Sequence, residues 1–267
     1  MTRAQADKLG EKLRKTSPPT ESLLEQLQAY RAAFDAPLTQ AQRLAAEALG
    51  LEATTARIKT INTIVEKLVR SKTRLSTMQD IAGLRIVIDA GLEAQDVTVG
   101  QLLQPFPDAK VDDLRDMPRY GYRAVHVVAS VDGLRVEIQV RTKMQDLWAQ
   151  AAEKLADVVG RGIRYGEPPA LERVRGSDVA ALVQVLQERS ADVQNWENAA
   201  VMMRALDSEL HDIEAKLQAG RPGDTDFEGR RERMQALQLR MAELRAILLE
   251  KTNATRQWLL DFIKLWD

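Results

Sequence analysis

The chain contains no cysteine among its 267 residues, which excludes a disulfide framework and thiolate metal sites. It has two histidines, His126 and His211, too few for a histidine-built metal centre. Aromatic residues are 4% of the chain, fewer than a β-sandwich core needs. No run approaches the roughly 18 apolar residues of a membrane-spanning helix, so no membrane association is expected. Neither sign of charge dominates: 38 Lys and Arg face 39 Asp and Glu, and bulk charge argues neither for nor against an anionic partner. The opening MTRAQADKLGEKLRK is charged and has no apolar centre, which predicts no signal peptide and a cytoplasmic location.

What is present describes a folded, largely helical protein. Hydrophobic residues make up 45% and charged residues 29%. At roughly 150 residues per domain, the length predicts about two units. Helical spacing places Leu23, Leu24, Leu27, Tyr30 and Phe34 on one helix after Pro18-Pro19, with Thr20 as its cap. A second helix starts near Pro37 and ends near Gly50. A third is predicted from about Ala53 to Arg70, with Arg57, Lys59 and Lys67 along its polar side. That basic side is either a solvated face or one wall of an anion-binding cleft.

β-branched runs then take over. Ile81 to Ile88 reads as a strand, followed by a helix over 94–103 and a short strand over 109–114. Strands over 122–131 and 134–141 flank Asp132-Gly133, a hairpin turn pair. In the second of them Val136, Ile138 and Val140 share one face, and Arg135, Glu137, Gln139 and Arg141 share the other. A helix follows over 143–159. After Pro168-Pro169, apolar residues at steps of three and four run from Leu182 to Leu217 and again from Met234 to Leu265. They predict two long helices joined at Gly220-Arg221-Pro222-Gly223. A first arm of roughly 45 residues would reach about 65–70 Å, so part of it projects or packs on another chain.

Three places carry chemistry. The basic residues Arg57, Lys59 and Lys67 are one. Asp80 at the mouth of a strand and Glu137 in mid-strand form the second; they are either a solvated, ion-paired sheet face or a Mg²⁺ site, since Mg²⁺ takes one or two carboxylates together with substrate phosphates. The third is Pro118-Arg119-Tyr120-Gly121-Tyr122-Arg123-Ala124-Val125-His126, read as a turn entering a strand with Tyr122, Ala124 and His126 on one face. The bland reading there is an aromatic packed under a loop. His211-Asp212 lies in the helical arm without the other ligands a metal site needs, and Gly160-Arg161-Gly162 lacks the spacing of a dinucleotide fingerprint.

Four segments, taken in order, resemble the synthetase domain of the RelA/SpoT family: Arg57-x-Lys59 with Lys67, Asp80-Ile81-Ala82-Gly83-Leu84-Arg85, Gly121-Tyr122-Arg123-Ala124-Val125-His126, and Glu137-Ile138-Gln139-Val140-Arg141-Thr142. The resemblance runs from about Arg57 to Glu153. It implies an α+β fold, a nucleotidyltransferase-like mixed sheet flanked by helices. The expected layout is N-terminal helices over 1–50, a synthetase core over 51–168 and a C-terminal antiparallel helical hairpin over 169–267.

The resemblance also implies an activity. The β,γ-pyrophosphate of ATP passes to the 3′-hydroxyl of GTP or GDP, giving guanosine tetra- or pentaphosphate and AMP. Arg57 and Arg85 would hold the adenine, and Lys59 and Lys67 the triphosphate. Asp80 and Glu137 would bind Mg²⁺, with Gln139 supporting Glu137. Arg119, Tyr122, His126, Arg141 and Gln145 would serve the acceptor. Two spellings depart from the family: Tyr120 stands where many members carry asparagine, and Gln145 where many carry His, Asn or Asp. Both lie on the acceptor side, and the spelling is nearer to the toxic small alarmone synthetases. A tRNA 3′ end is therefore an alternative acceptor, with a neutralising antitoxin as a partner. A homo-oligomer built through the helices is a further expectation. The alternative of another class is a non-catalytic interaction protein that works through its helical hairpin.

Overall fold

The computed structural model describes residues 1–51, 54–218 and 227–266. The chain forms two compact units. One comprises Met1–Ile88, Gln95–Leu114 and Ala124–Arg141; the other comprises Asp89–Ala94, Arg115–Arg123 and Thr142–Asp267.

The first unit is α+β. Helices α1 (Arg3–Lys15), α2 (Glu21–Ala32) and α3 (Asp35–Leu49) precede strand β1 (Thr55–Ile58) and helix α4 (Ile61–Ser71). Strand β2 (Ala82–Ile88), helix α5 (Leu92–Leu103), and strands β3 (Lys110–Asp113), β4 (Val125–Val131) and β5 (Leu134–Thr142) complete it. The five strands are ordered β1-β2-β5-β4-β3. The β4–β5 turn places Asp132 and Gly133 at φ 51° and 78°, the paired left-handed geometry that suits a two-residue hairpin.

Alternation along the strands divides the sheet into two chemically distinct faces. Ala82, Leu84, Ile86, Val127, Ala129, Val136, Ile138 and Val140 are buried in one core with Leu9, Leu27, Phe34, Ala41, Ile64 and Leu68 of α1–α4. The opposite face carries polar residues. The pairing Arg57↔Gly83 and Thr55↔Arg85, with His126↔Gln139 and Val128↔Glu137, puts Arg57, Arg85, His126, Glu137 and Gln139 on that face.

The helix expected from about Ala53 to Arg70 starts only at Ile61, so Arg57 and Lys59 do not share a helix with Lys67. Arg57-Ile58 pairs with β2 instead, and the Lys59 N–H extends that ladder to the Ile81 carbonyl at 2.8 Å. Thr60 then caps α4, its hydroxyl accepting from the Thr63 N–H at 3.3 Å.

The second unit is built on helix α6 (Lys143–Val159), a two-stranded ribbon of β6 (Arg173–Val174) and β7 (Ser177–Asp178), and helices α7 (Val179–Gln218) and α8 (Phe227–Lys264). Trp148, Ala152, Leu155 and Val159 of α6 form one core with Val179, Leu186 and Val193 of α7 and Leu259 and Phe262 of α8. The polar interruptions in the heptads have partners. Asp207 pairs with Arg245 across the two helices, Trp196 Nε1 donates to the Thr255 hydroxyl at 3.2 Å, and Arg189 lies over the Trp258 ring at 5.3 Å. Leu237 and Leu244, expected in the seam, are exposed, while Met234 and Met241 are buried. The predicted joint at Gly220-Arg221-Pro222-Gly223 lies outside the described residues. Among the described residues, no helix is long and apolar enough to cross a membrane.

Candidate active site

On the first unit, three charged side chains converge where β1, α4 and the entry to β2 meet. Asp80 Oδ2 accepts from Lys59 Nζ at 2.9 Å and from Lys67 Nζ at 2.7 Å. Lys59 is fixed by the β1 ladder and by Arg31, whose Nε donates to its carbonyl at 2.7 Å. Asp80 Oδ1 is buried and has no hydrogen-bond partner among the described residues. Burial pushes the Asp80 carboxyl upward, but the two ammonium charges and their hydrogen bonds outweigh it and hold its pKa at about 2, below the usual 3.8.

Arg57 and Arg85 lie on adjacent strands, one diagonal step apart on the same face. Diagonal neighbours sit about 7–8 Å apart, close to the separation at which two groups can flank a planar ring at van der Waals distance.

A linear chain of hydrogen bonds runs along the polar face of β5. Arg141 Nη2 donates to Gln139 Oε1 at 2.8 Å, and Gln139 Nε2 donates to Glu137 Oε2 at 2.7 Å. Glu137 Oε1 lies 3.4 Å from His126 Nδ1 on β4. Arg141 is only 2% exposed, and Glu137 and His126 are also buried. At His126, Glu137 and Arg141 this face is therefore not a solvated one. The β5 backbone at Glu137 runs beside β2, where a Cβ on Gly83 would lie 3.4 Å from the Glu137 carbonyl oxygen.

Asp80 and Glu137 are the carboxylates that could hold a Mg²⁺ ion. Asp80 offers a buried oxygen with no partner, and Glu137 adds a second carboxylate in the same unit. Among the described residues no three His, Asp or Glu side chains converge, so other ligands would come from water and from substrate phosphate.

The remaining expected residues belong to the second unit. Arg119 and Tyr122 close a tight turn, with backbone hydrogen bonds of 3.2 Å and 3.0 Å in the two directions. Tyr120 and Gly121 at its tip have φ of 53° and 87°. A Cβ on Gly121 would lie 2.6 Å from the Trp148 ring, so only glycine fits there. Strand β4 begins at Val125, and Tyr122 packs against the core of α6–α8. The expectation that Tyr122 and His126 share a strand face is thus corrected: the turn breaks the alternation between them. Gln145 caps α6 together with Thr142 and donates to Glu197 Oε2 at 3.0 Å. The Thr142 hydroxyl also bonds Glu197. Burial raises the Glu197 carboxyl above its ordinary range, against the pull of these hydrogen bonds and of Arg123 and Arg115. Glu197 lies outside the sequence motifs.

Residues 56–156 match the family model of the region found in RelA / SpoT proteins. This RelA/SpoT-like stretch runs from β1 through most of α6, so it includes every candidate residue described above except Glu197. An uncharacterized protein of Mycobacterium tuberculosis, Rv1366, is 43% identical over 157 residues, covering 55% of this chain and 57% of that protein. The GTP pyrophosphokinase YjbM of Bacillus subtilis is 36% identical over 120 residues, covering 39% of this chain and 56% of that enzyme. The chain thus spans somewhat over half the length of these relatives. Among solved structures, the small alarmone synthetase 1 of Bacillus subtilis bound to its product pppGpp aligns at a TM-score of 0.49 and 23% identity. That alignment covers 67% of this chain and 97% of the other.

Proposed function

We propose that the protein transfers the β,γ-pyrophosphate of ATP to the ribose 3′-hydroxyl of GTP or GDP, releasing AMP. The observation that carries this reading is Asp80, which is held ionised by Lys59 and Lys67 and keeps one buried oxygen without a partner. Two ammonium groups on one carboxylate form a site that can exchange it for a triphosphate. The match of residues 56–156 to RelA/SpoT proteins and the name of the YjbM relative support the same chemistry.

In this reading the acceptor 3′-oxygen attacks the β-phosphorus in line. The bond from that phosphorus to the α,β-bridging oxygen breaks, and AMP leaves with the electron pair. Glu137 receives the proton of the attacking hydroxyl, while Gln139 and Arg141 keep its carboxylate aimed. Lys59 and Lys67 hold the triphosphate oxygens, on which charge accumulates. Arg57 and Arg85 flank the adenine. A Mg²⁺ ion held by Asp80 and Glu137 would supply Lewis-acid neutralisation of the phosphates. Arg119, Tyr122, His126, Arg141 and Gln145 serve the acceptor.

Tyr120 favours a second acceptor. It is a half-exposed aromatic at the tip of the turn, suited to stacking on an unpaired base such as a tRNA 3′ end. A neutralising partner protein would accompany that activity. The test supplies purified protein with labelled ATP and, separately, GTP, GDP and deacylated tRNA. Label on the guanine nucleotide with AMP formation is the expected result. Label on tRNA alone would move the acceptor to the second reading, and no transfer to any acceptor would overturn both.

A further inference from the structure

Helix α7 carries a buried stripe whose apolar members, Leu186 and Val193, belong to the core it shares with α6 and α8. Leu186, Ser190, Val193 and Glu197 recur at steps of four, three and four, and all four are buried. Two of them are polar, and their contacts are long-range in sequence. The Ser190 hydroxyl donates to the Gly121 carbonyl at the tip of the 119–122 turn. Arg123 Nε donates to the Ser190 carbonyl at 3.2 Å and to its hydroxyl at 3.0 Å. Arg123 Nη1 donates to Gln194 Oε1 at 2.8 Å and to the Arg115 carbonyl. Gln194 Nε2 in turn donates to Asp116 Oδ1 at 3.2 Å. One turn further on, Glu197 receives the Thr142 hydroxyl and the Gln145 amide at the start of α6. Trp148 Nε1 donates to the Leu186 carbonyl at 2.6 Å, and its ring lies under Gly121.

Both ends of the segment Arg115–Arg123, and the capping turn of α6, are thus fastened to one face of one helix. Nothing in that segment is a regular strand or helix, so its conformation depends on these bonds. We propose that α7 is a built-in support for acceptor binding, with Glu197 and Ser190 as positioning residues that hold Gln145 and the Arg119–Tyr122 turn in their working conformation. The proposal rests on the acceptor role given above to Arg119, Tyr122 and Gln145. It assigns the C-terminal helices a task inside the reaction. Glu197 reaches no reacting atom; it acts through Gln145 and Thr142.

The test uses the full chain with Glu197→Ala, Glu197→Gln and Ser190→Ala. Hydrogen exchange, read at 115–123 and 142–146, does not depend on any reaction. Glu197→Ala and Ser190→Ala should raise exchange there while leaving β2 and β5 protected. Steady-state kinetics should then show the acceptor KM rising about 10- to 100-fold, with the ATP KM unchanged. Glu197→Gln keeps an acceptor for the Thr142 hydroxyl and should recover part of the loss. Unchanged exchange at 115–123 and 142–146 would overturn the proposal, as would an equal rise in both KM values. A wild-type chain that transfers to no acceptor overturns the reaction reading instead, and the exchange data still report whether α7 orders these segments.

Discussion

At the scale of single residues, Asp80 does two things with its two oxygens. One holds a pair of lysines, and the other is kept dry without a donor. Its pKa of about 2 in the fold, against 3.8 for an unperturbed carboxyl, is a stability statement. A depressed carboxylate contributes fully above pH 4 and loses that contribution as pH falls toward 2. The shift corresponds to about 2 kcal/mol. Lys67→Met removes one of the two counter-charges, so the Asp80 carboxyl should titrate at higher pH, a change visible in carboxyl carbon NMR. The same midpoint in the variant would contradict the pairing. On the proposed reading, in which Asp80 and Glu137 hold the metal, Asp80→Asn and Glu137→Gln should each lower pyrophosphate transfer about a hundredfold or more. Asp80→Asn should also lower thermal stability, because it leaves two partly buried ammonium groups without their counter-charge.

At the scale of elements, the turn over 119–122 is tightly constrained, with two residues at positive φ and its glycine against the Trp148 ring. Gly121→Ala must adopt a left-handed φ and push its methyl into the Trp148 ring, at a cost of about 1–3 kcal/mol. A lowered melting temperature together with weaker acceptor use is the expected outcome, and calorimetry with acceptor titration checks it. Thr60→Ala removes the cap of α4 and should cost about 1 kcal/mol, with Thr60→Asp close to wild type.

Local pattern explains which elements were legible. The alternation in 134–141 and the Asp132-Gly133 turn signal gave β5 and its two faces directly. The helix over 143–159 was bounded by a threonine cap and a glycine. Strand β1 was not legible, because four residues ahead of a strongly amphipathic helix extend its apolar period, and only pairing with β2 makes them a strand. The turn before β4 was legible from its proline and glycine, but the strand start was not, because Tyr122–Ala124 spell like a strand and β4 begins only at Val125. Asp80, Glu137 and the cations were legible as residue types in order. The unpartnered oxygen on Asp80 and the ladder from Arg141 to Glu137 are properties of packing, with no counterpart in spacing. Glu197 sits beside Trp196 in a heptad, and its burial shows only when another element covers it.

At the scale of the whole molecule, each unit carries its own core, and α6 faces α7 and α8 through Trp148, Ala152, Leu155 and Val159. Deleting residues 170–267 strips that face. Burying such side chains is worth about 1.5–3 kcal/mol for each large one, so the truncated chain should expose a sticky surface. Strong binding of a hydrophobic dye and elution as aggregates are expected. A monodisperse truncated protein with α6 amides still protected would show that the two long helices are dispensable for this core.

The ring of Tyr120 rests where a side chain on Gly166 would begin; a Cβ there would lie 2.2 Å from the tyrosine Cε1. Gly166 also holds φ at 78°, so it is committed twice over. The consequence concerns descent. A larger residue at 166 would have to push the tyrosine ring aside and adopt a strained left-handed φ. Positions 120 and 166, 46 places apart in the chain, are therefore sterically linked, and a smaller residue at 120 should ease substitution at 166.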